Sequence, residues 1–293
     1  MERITTWCVN GNAEDVRVTR VGNTVNQRVY VHSDAFQESA PTRLTRKQSF
    51  ESNDFRQTLV SALADDGFAF AEGSVVRSIL GKNGGLSDWR EFVESWSGMP
   101  VDKYMADGGT YRRRRYCVFS TCSASDEFQL EPPSPHFQSL VCNTSNGGIE
   151  RWYEPFSMEI ANATSLRTIL KQARAVFEEL SSNRTWHIEV HQFRIEVFAN
   201  EVGKPTPEGI HRDGVAFGMV MMIDRTNVLN GETTIYRNGH GDPIGRFTLV
   251  QPLASLLFDD TKVFHAVSSI VTETLDRRGF RDVLVITFNT TRR

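Results

Sequence analysis

The sequence is poor in cysteine and has no long apolar run. Its four cysteines include no Cys-x-x-Cys pair, which excludes a disulfide-stabilised scaffold and predicts reduced thiols in a cytoplasmic protein. No apolar run is long enough to span a bilayer, and the first residues lack the apolar core of a signal peptide, so no membrane partner is expected. The net charge of −3 disfavours a general nucleic-acid binder. The length of 293 residues allows one large domain or two small ones.

Helical patterns come first along the chain and strand patterns follow. Apolar residues at helical spacing predict one helix from Asn53 to Ala64, a short one after Asp88, and the clearest one over residues 164–181. From Trp186 onward, many short strand patterns alternate with turn residues. This order predicts an α+β protein whose core is a jelly roll or barrel, with flanking helices.

Residues 1–50 differ from the rest of the chain. They are polar, rich in threonine, arginine and asparagine, and show no clear period. We interpret them as an N-terminal extension, with a partly flexible arm as the alternative. Residues 51–293 are then predicted to form the functional domain.

Two histidines and an aspartate form the strongest candidate for a metal site. His211 and Asp213 share a face if their segment is a strand, and Gly214 allows the strand to bend after them. A second histidine, His265, follows 265 − 213 = 52 residues later, which leaves room for several strands. Two imidazoles and one carboxylate suit Fe(II) and leave coordination positions open. His-x-Asp alone is a weak signal, and His240, in a predicted turn, is the alternative ligand.

Four consecutive arginines lie between two tyrosines. In a strand, Arg112 and Arg114 face one way while Arg113 and Arg115 face the other, so one pair can enter a pocket and bind a carboxylate. The alternative is a solvated basic stripe that binds nucleic acid or a protein partner, and both interpretations stay open. The candidate substrate-binding residues of this strand are Tyr111, Arg112 and Arg114.

The segment from Trp186 to Phe198 has the β-branched and aromatic composition of a strand. His187 and His191 are four residues apart, which on a helix would suit zinc, but isoleucine replaces the glutamate that the zinc-protease motif requires after the first histidine. We therefore expect these histidines to pack or to line a pocket. Gln192 and Arg194 share one strand face and are further candidates for substrate binding, with a surface position for Arg194 as the alternative.

The last predicted strand begins at Arg281 and is apolar on both faces, so it belongs to the interior. An arginine at the mouth of a buried strand needs an anion. Arg281 follows His265 by 281 − 265 = 16 residues, about one strand and one turn, which places it near the candidate metal. That position suits a dicarboxylate cosubstrate.

Together these segments resemble the Fe(II)/2-oxoglutarate-dependent dioxygenases, and more narrowly the bacterial group that includes the L-isoleucine hydroxylases. The resemblance spans roughly residues 55–290. Each motif is weak by itself, and the combination is specific. The motifs are TYRRRRY (110–116), NGGIERWYEP (146–155), HQFRI (191–195), PEGIHRDGV (207–215) and RDVLV (281–285).

The resemblance implies a double-stranded β-helix core. It implies His211, Asp213 and His265 as ligands of Fe(II), Arg281 as the residue that binds 2-oxoglutarate, and O₂ as the second cosubstrate, with ascorbate helpful in vitro. The implied reaction hydroxylates an unactivated C–H bond and releases succinate and CO₂. The expected substrate is a small aliphatic L-amino acid or a derivative of one.

Two further hypotheses stay open at the level of the sequence. One is an oxygenase that acts on a nucleic acid or peptide, with the arginine run binding phosphate, although the acidic net charge disfavours a nucleic-acid partner. The other is a catalytically silent β-barrel that binds a carboxylate ligand. A homodimer stays among the expected assemblies.

Overall fold

The computed structural model describes residues 43–44, 52–122, 127–140, 147–181 and 185–290. Apart from Arg43–Leu44, the predicted N-terminal extension lies outside the described residues. The helices are α1 (Ser52–Asp65), α2 (Gly73–Leu80), α3 (Trp89–Glu94), α4 (Met158–Ala161) and α5 (Thr164–Leu180). The strands are β1 (Arg43–Leu44), β2 (Phe68–Ala71), β3 (Arg112–Ser120), β4 (Gln129–Leu130), β5 (Trp186–Val197), β6 (Phe217–Thr226), β7 (Val228–Asn230), β8 (Glu232–Tyr236), β9 (Pro243–Thr248), β10 (Ser255–Asp259), β11 (Phe264–Val267), β12 (Ile270–Thr272) and β13 (Gly279–Thr290).

A large sheet, with strand order β1-β2-β10-β6-β13-β5-β3-β4, forms the centre of the fold. Its strands pair antiparallel except for β1 and β2, which pair parallel. Smaller sheets follow the orders β11-β8-β9 and β12-β7. This is a double-stranded β-helix with flanking helices, so the predicted fold class is confirmed.

The two faces of the large sheet have different roles. On β5, Ile188 and Val190 point toward the helices and join one apolar cluster with residues of α1 and α5. The alternate residues His191 and Phe193 point to the opposite face, where they line a cavity. Because successive side chains of a strand alternate in direction, one strand supplies both the core and the site.

Helix α5 confirms the clearest helical prediction to within one residue. Its N-cap position is held by Ala163, whose side chain cannot accept a hydrogen bond, and not by Thr164 or Ser165, the capping residues that the sequence suggests. The Asp88 carboxylate accepts hydrogen bonds from the backbone N–H groups of Thr164 (2.6 Å) and Ser165 (2.9 Å) instead. A carboxylate distant in sequence therefore satisfies the helix end, as a local capping residue otherwise would.

Residues 136–140, whose apolar and polar residues suggest a strand, do not form one. This segment holds an isolated antiparallel bridge between His136 and Arg151, with backbone hydrogen bonds of 3.0 Å in both directions. The bridge brings both side chains to the cavity.

Among the described residues, no helix is both long and apolar enough to cross a membrane.

Candidate active site

A cavity of about 630 Å³ opens on the face of the large sheet that the helices leave uncovered. That volume lies in the range of small-molecule sites. Alternate residues of β3, β5 and β13 form one wall, and His265 of β11 with the segment around His211 forms another. The predicted iron ligands, Arg281, Arg112 and Arg114 all line this one cavity.

The backbone places the predicted iron ligands together. His211 and His265 form an isolated antiparallel bridge, with hydrogen bonds of 3.0 Å in both directions. Their ring centroids are 4.4 Å apart. Nε2 of His211 lies 3.6 Å from Oδ1 of Asp213, and Nε2 of His265 lies 3.9 Å from Oδ2. One ligand atom from each residue lies within 4.8 Å of the others, which suits a single metal ion.

The hydrogen bonding of His211 leaves Nε2, the nitrogen nearest to Asp213, available for a metal ion. Its Nδ1 lies 3.0 Å from the Gly209 carbonyl oxygen, to which it donates, so Nε2 of the neutral ring keeps its lone pair. Nδ1 of His265 is buried without a hydrogen-bond partner among the described residues. These observations fit a metal bound through Nε2 of His211 and a nitrogen of His265.

The electrostatics of the group also favour a cation. Burial opposes the charged form of His211, but the carboxylates of Asp213 and Glu208 outweigh it and raise its pKa to about 9. Burial and the neighbouring His211 lower the pKa of His265 to about 4. Burial raises the pKa of Asp213, but the effect of both histidines is larger. The pKa of Asp213 therefore lies well below its ordinary value, and its carboxylate is ionised.

Asp260 holds the His211–Asp213 segment in place, a role that no sequence motif indicates. Its carboxylate accepts hydrogen bonds from the backbone N–H groups of Asp213 (3.0 Å), Gly214 (2.7 Å) and Val215 (3.1 Å). Gly214 has a φ of +80°, which favours glycine because it carries no Cβ. The partner follows 47 residues after Asp213, beyond the reach of a local motif.

Arg281 lines the cavity as a buried cation. Its Nε and Nη2 have no hydrogen-bond partner among the described residues. The adjacent Asp282 faces the other way and pairs with Arg194. Burial, followed by the nearby Arg225, lowers the pKa of Arg281 to about 10. A buried guanidinium with unsatisfied donors requires an anion, so the side chain fits the carboxylate of a bound dicarboxylate.

Arg112 and Arg114 share the cavity face of β3 but differ in their partners. Arg112 forms an ion pair with buried Asp102 at 2.7 Å. Arg114 donates to the Tyr153 hydroxyl (3.0 Å) and contacts Nδ1 of His191 (2.9 Å), while its Nε has no partner. Among the described residues, no carboxylate forms an ion pair with Arg114, so this guanidinium can accept an anionic ligand.

The other two arginines of the run face away from the cavity. Arg113 pairs with Glu196 at 2.8 Å, and Arg115 pairs with Glu154 at 2.6 Å. Because each of these arginines has a carboxylate partner, β3 does not present the solvated basic stripe that nucleic-acid binding would need.

Three of the predicted substrate-binding residues lie outside the cavity. The hydroxyl of Tyr111 donates to Asp107 at 2.8 Å. Gln192 donates to the Ser95 hydroxyl at 2.7 Å, and Arg194 binds Asp282 through two hydrogen bonds. The odd-numbered residues of β5 line the cavity instead, namely His187, Glu189, His191, Phe193 and Ile195. The two-residue period groups side chains by face, but it does not identify the face that meets the cavity.

A family model described as 2OG-Fe dioxygenase matches residues 93–287. The chain belongs to this dioxygenase family. Membership implies Fe(II), 2-oxoglutarate and O₂, and the His211, Asp213 and His265 group is a candidate site for the iron. When bound, the iron and 2-oxoglutarate supply the activation of O₂.

Similar proteins support the family at different levels. The crystal structure of a bsmA homolog from Methylobium petroleophilum PM1 is 32% identical, covers 80% of this chain and 93% of its own, and has a TM-score of 0.72. The crystal structure of IDO from Bacillus thuringiensis is 18% identical, covers 81% of this chain and 100% of its own, has a TM-score of 0.66, and shows the fold alone.

A curated relative, the bifunctional enzyme flvA of Aspergillus flavus, is 26% identical over 144 residues. That match covers 44% of this chain. The chain spans 17% of the length of that protein. The likeness therefore concerns one part of the fungal enzyme.

Proposed function

We propose that this dioxygenase hydroxylates the side chain of a small aliphatic L-amino acid. The observation that carries the proposal is Arg114, a buried guanidinium without a carboxylate partner among the described residues. It lines the same cavity as the candidate iron ligands His211, Asp213 and His265, named the iron-ligand group below. A buried cation of this kind favours a ligand with a carboxylate, and the planar guanidinium can bind one through two hydrogen bonds.

Separate cations are available for the two carboxylate-bearing ligands. Arg281 lies opposite Ile195 on one side of β5, and Arg114 lies opposite Phe193 on the other side. From the usual spacing of strands and residues, their Cα atoms lie on the order of 10 Å apart. We assign Arg281 to the distal carboxylate of 2-oxoglutarate and Arg114 to the carboxylate of the substrate.

Apolar side chains also line the pocket. Val283 and Val285 of β13 and Val220 of β6 line the same cavity. These side chains suit an aliphatic substrate, but apolar walls distinguish one methylene only weakly, by about 1–3 kcal/mol. We therefore expect leucine, isoleucine, valine and methionine to react to different extents.

We also propose that this protein belongs to the L-isoleucine hydroxylase-like group, which its sequence motifs resemble. A cytoplasmic location is proposed with it, since Cys117 and Cys122 are free thiols, as a reducing compartment requires.

A substrate screen tests the function. The protein is incubated with Fe(II), 2-oxoglutarate, ascorbate and each amino acid, and products are scored for the mass of one added oxygen together with succinate release. Product from a free or N-acylated amino acid supports the proposal. Product only from a peptide or nucleic acid would contradict it.

A further inference from the structure

A second group of two histidines and a carboxylate lies in the same cavity. Nδ1 of His136 is 3.1 Å from Oε2 of Glu189, and Nε2 of His191 is 3.8 Å from the same oxygen. The Tyr116 hydroxyl donates to the other oxygen, Oε1, at 2.8 Å. The candidate ligand atoms of these two histidines and Glu189 lie within 4.8 Å of one another, as in the iron-ligand group.

Arg114 determines how this group can act. Its Nη2 lies 2.9 Å from Nδ1 of His191. A guanidinium only donates hydrogen bonds, so Nδ1 accepts and the proton of the neutral ring sits on Nε2, which faces Glu189. Loss of that proton to a metal ion would leave an imidazolate, because Nδ1 of His191 carries no proton, whereas His211 keeps a proton on Nδ1. The second group is therefore built to hold charge through hydrogen bonds rather than a second metal.

Glu189 is an anion among neutral rings. Burial raises the pKa of Glu189, but hydrogen bonds from His136, His187 and His191 lower it well below its usual value. Burial and Arg114 lower the pKa of His191 to about 3, and they also lower the pKa of His136. Among the described residues, no lysine or arginine forms an ion pair with Glu189. The cavity thus contains a carboxylate without a lysine or arginine partner beside a guanidinium without a carboxylate partner, among the described residues.

We propose that Glu189 binds the α-ammonium group of the substrate while Arg114 binds its α-carboxylate, so that the enzyme selects free amino acids over N-acylated ones. This inference rests on the proposed function. Arg114 and Glu189 face opposite nitrogens of the same His191 ring, at 2.9 Å and 3.8 Å. One imidazole thus separates the two charges, which suits a zwitterion whose charged groups share one carbon.

The chemistry of acylation explains the expected selectivity. An acylated nitrogen is neutral and bulkier, so it would leave the Glu189 carboxylate buried without a cation. Hydrogen bonds to charged groups contribute about 1.5–3 kcal/mol, which corresponds to roughly tenfold or more in affinity.

The test measures binding rather than turnover. The protein is loaded with Fe(II) and 2-oxoglutarate without oxygen and titrated by calorimetry with L-leucine, L-isoleucine, L-valine and L-methionine. The tightest ligand is then compared with its N-acetyl derivative and with the acid that lacks the amino group. We expect both analogues to bind the natural protein roughly tenfold or more weakly.

Glu189→Gln should weaken binding of the free amino acid by a similar factor and abolish the preference, while affinity for the acid without an amino group stays the same. Glu196→Gln is the matched control, since Glu196 is on the same strand but pairs with Arg113 outside the cavity. If Glu189→Gln fails to fold, the comparison of the three ligands on the natural protein still decides.

The outcomes separate this inference from the proposed function. If the analogues bind as tightly as the amino acid, or Glu189→Gln keeps the preference, the ammonium assignment is wrong. The proposed function then survives if an N-acylated amino acid still gains one oxygen with succinate release. If none of these compounds binds or gains oxygen, both assignments fall.

Discussion

The two histidine–carboxylate groups of the cavity each contain two histidines and one carboxylate, but Nδ1 of one histidine donates a hydrogen bond in the first group and accepts one in the second. Nδ1 of His211 donates to a backbone carbonyl, which leaves Nε2 free to bind a metal ion. Nδ1 of His191 accepts from Arg114, which places the proton on Nε2. We therefore expect the hydrogen-bond partner of Nδ1 to decide whether Nε2 of each group binds a metal ion or donates a hydrogen bond.

Replacing one histidine in each group tests this contrast with the largest expected effect. His265→Ala removes a candidate metal ligand, so we expect it to abolish turnover and to weaken metal binding by more than the roughly 10–100-fold that loss of a ligand-orienting residue costs. His136→Ala should retain one bound metal ion. Metal content after dialysis against Fe(II) or Co(II) measures both.

His240→Ala is the control, because His240 is exposed in the turn before β9. Retention of metal and full activity in His265→Ala would remove the assignment of this ligand. Loss of metal in His136→Ala would show that the second group binds an ion after all.

The cations of the cavity give the next contrast. Arg281→Leu would leave the distal carboxylate of 2-oxoglutarate without its partner, a loss of about 3–5 kcal/mol that raises the 2-oxoglutarate requirement roughly a hundredfold or more. Arg281→Lys should restore the positive charge but not the bidentate hydrogen bonding to the carboxylate, so we expect it to recover only part of the affinity for 2-oxoglutarate. Titration of 2-oxoglutarate measures the effect, with Arg278→Leu as control because Arg278 is exposed. An unchanged requirement in Arg281→Leu would contradict the assignment.

The sequence predicts the parts of the site that depend on local pattern. The His-x-Asp motif, the distant His265 and the alternation of Arg112 and Arg114 all follow from residue type and strand period. The structure brings these residues to one cavity. The position of Arg281 at the start of a buried strand belongs to the same class.

The remaining parts depend on partners that the sequence does not pair. Glu189 lies on the cavity face of β5 while Gln192 lies on the other, and strand period alone cannot assign the faces. Asp88 at the start of α5 and Asp260 beneath the metal segment act across 76 and 47 residues, respectively. Single-sequence patterns detect neighbours three or four residues away and miss contacts of this range.

The opposite face of β5 gives a stability test. Arg194 binds buried Asp282 through two hydrogen bonds of 2.7 and 2.6 Å. Arg194→Ala should lower the free energy of unfolding by roughly 2–3 kcal/mol, less than for a fully buried pair because Arg194 is partly exposed. Urea unfolding followed by tryptophan fluorescence measures the loss. A loss below the error of the measurement would contradict this account.

The loss should depend on pH in a definite direction. Burial, partly offset by Arg194, raises the pKa of Asp282 to about 6, above its ordinary value of 3.8. A carboxylate whose folded-state pKa is raised costs stability as pH rises through that interval. Without Arg194 the pKa of Asp282 should rise further, so the destabilisation should be larger at pH 8 than at pH 5. A larger loss at pH 5 would contradict this assignment.

Replacing Asp260 also tests the contrast between the two histidine–carboxylate groups, and it has the smallest expected effect of these variants. In the iron-ligand group, the Asp260 carboxylate holds the backbone through the N–H groups of Asp213, Gly214 and Val215. Asp260→Asn replaces one accepting oxygen with an N–H₂ group that faces these donors, so Asp213 should lose its fixed position. Metal affinity should fall roughly 10–100-fold, as for other residues that orient a metal ligand. Asp259→Asn is the matched control, because the Asp259 carboxylate accepts from Thr261 instead. Equal metal affinity in the two variants would mean that the His211–Asp213 segment keeps its geometry without Asp260.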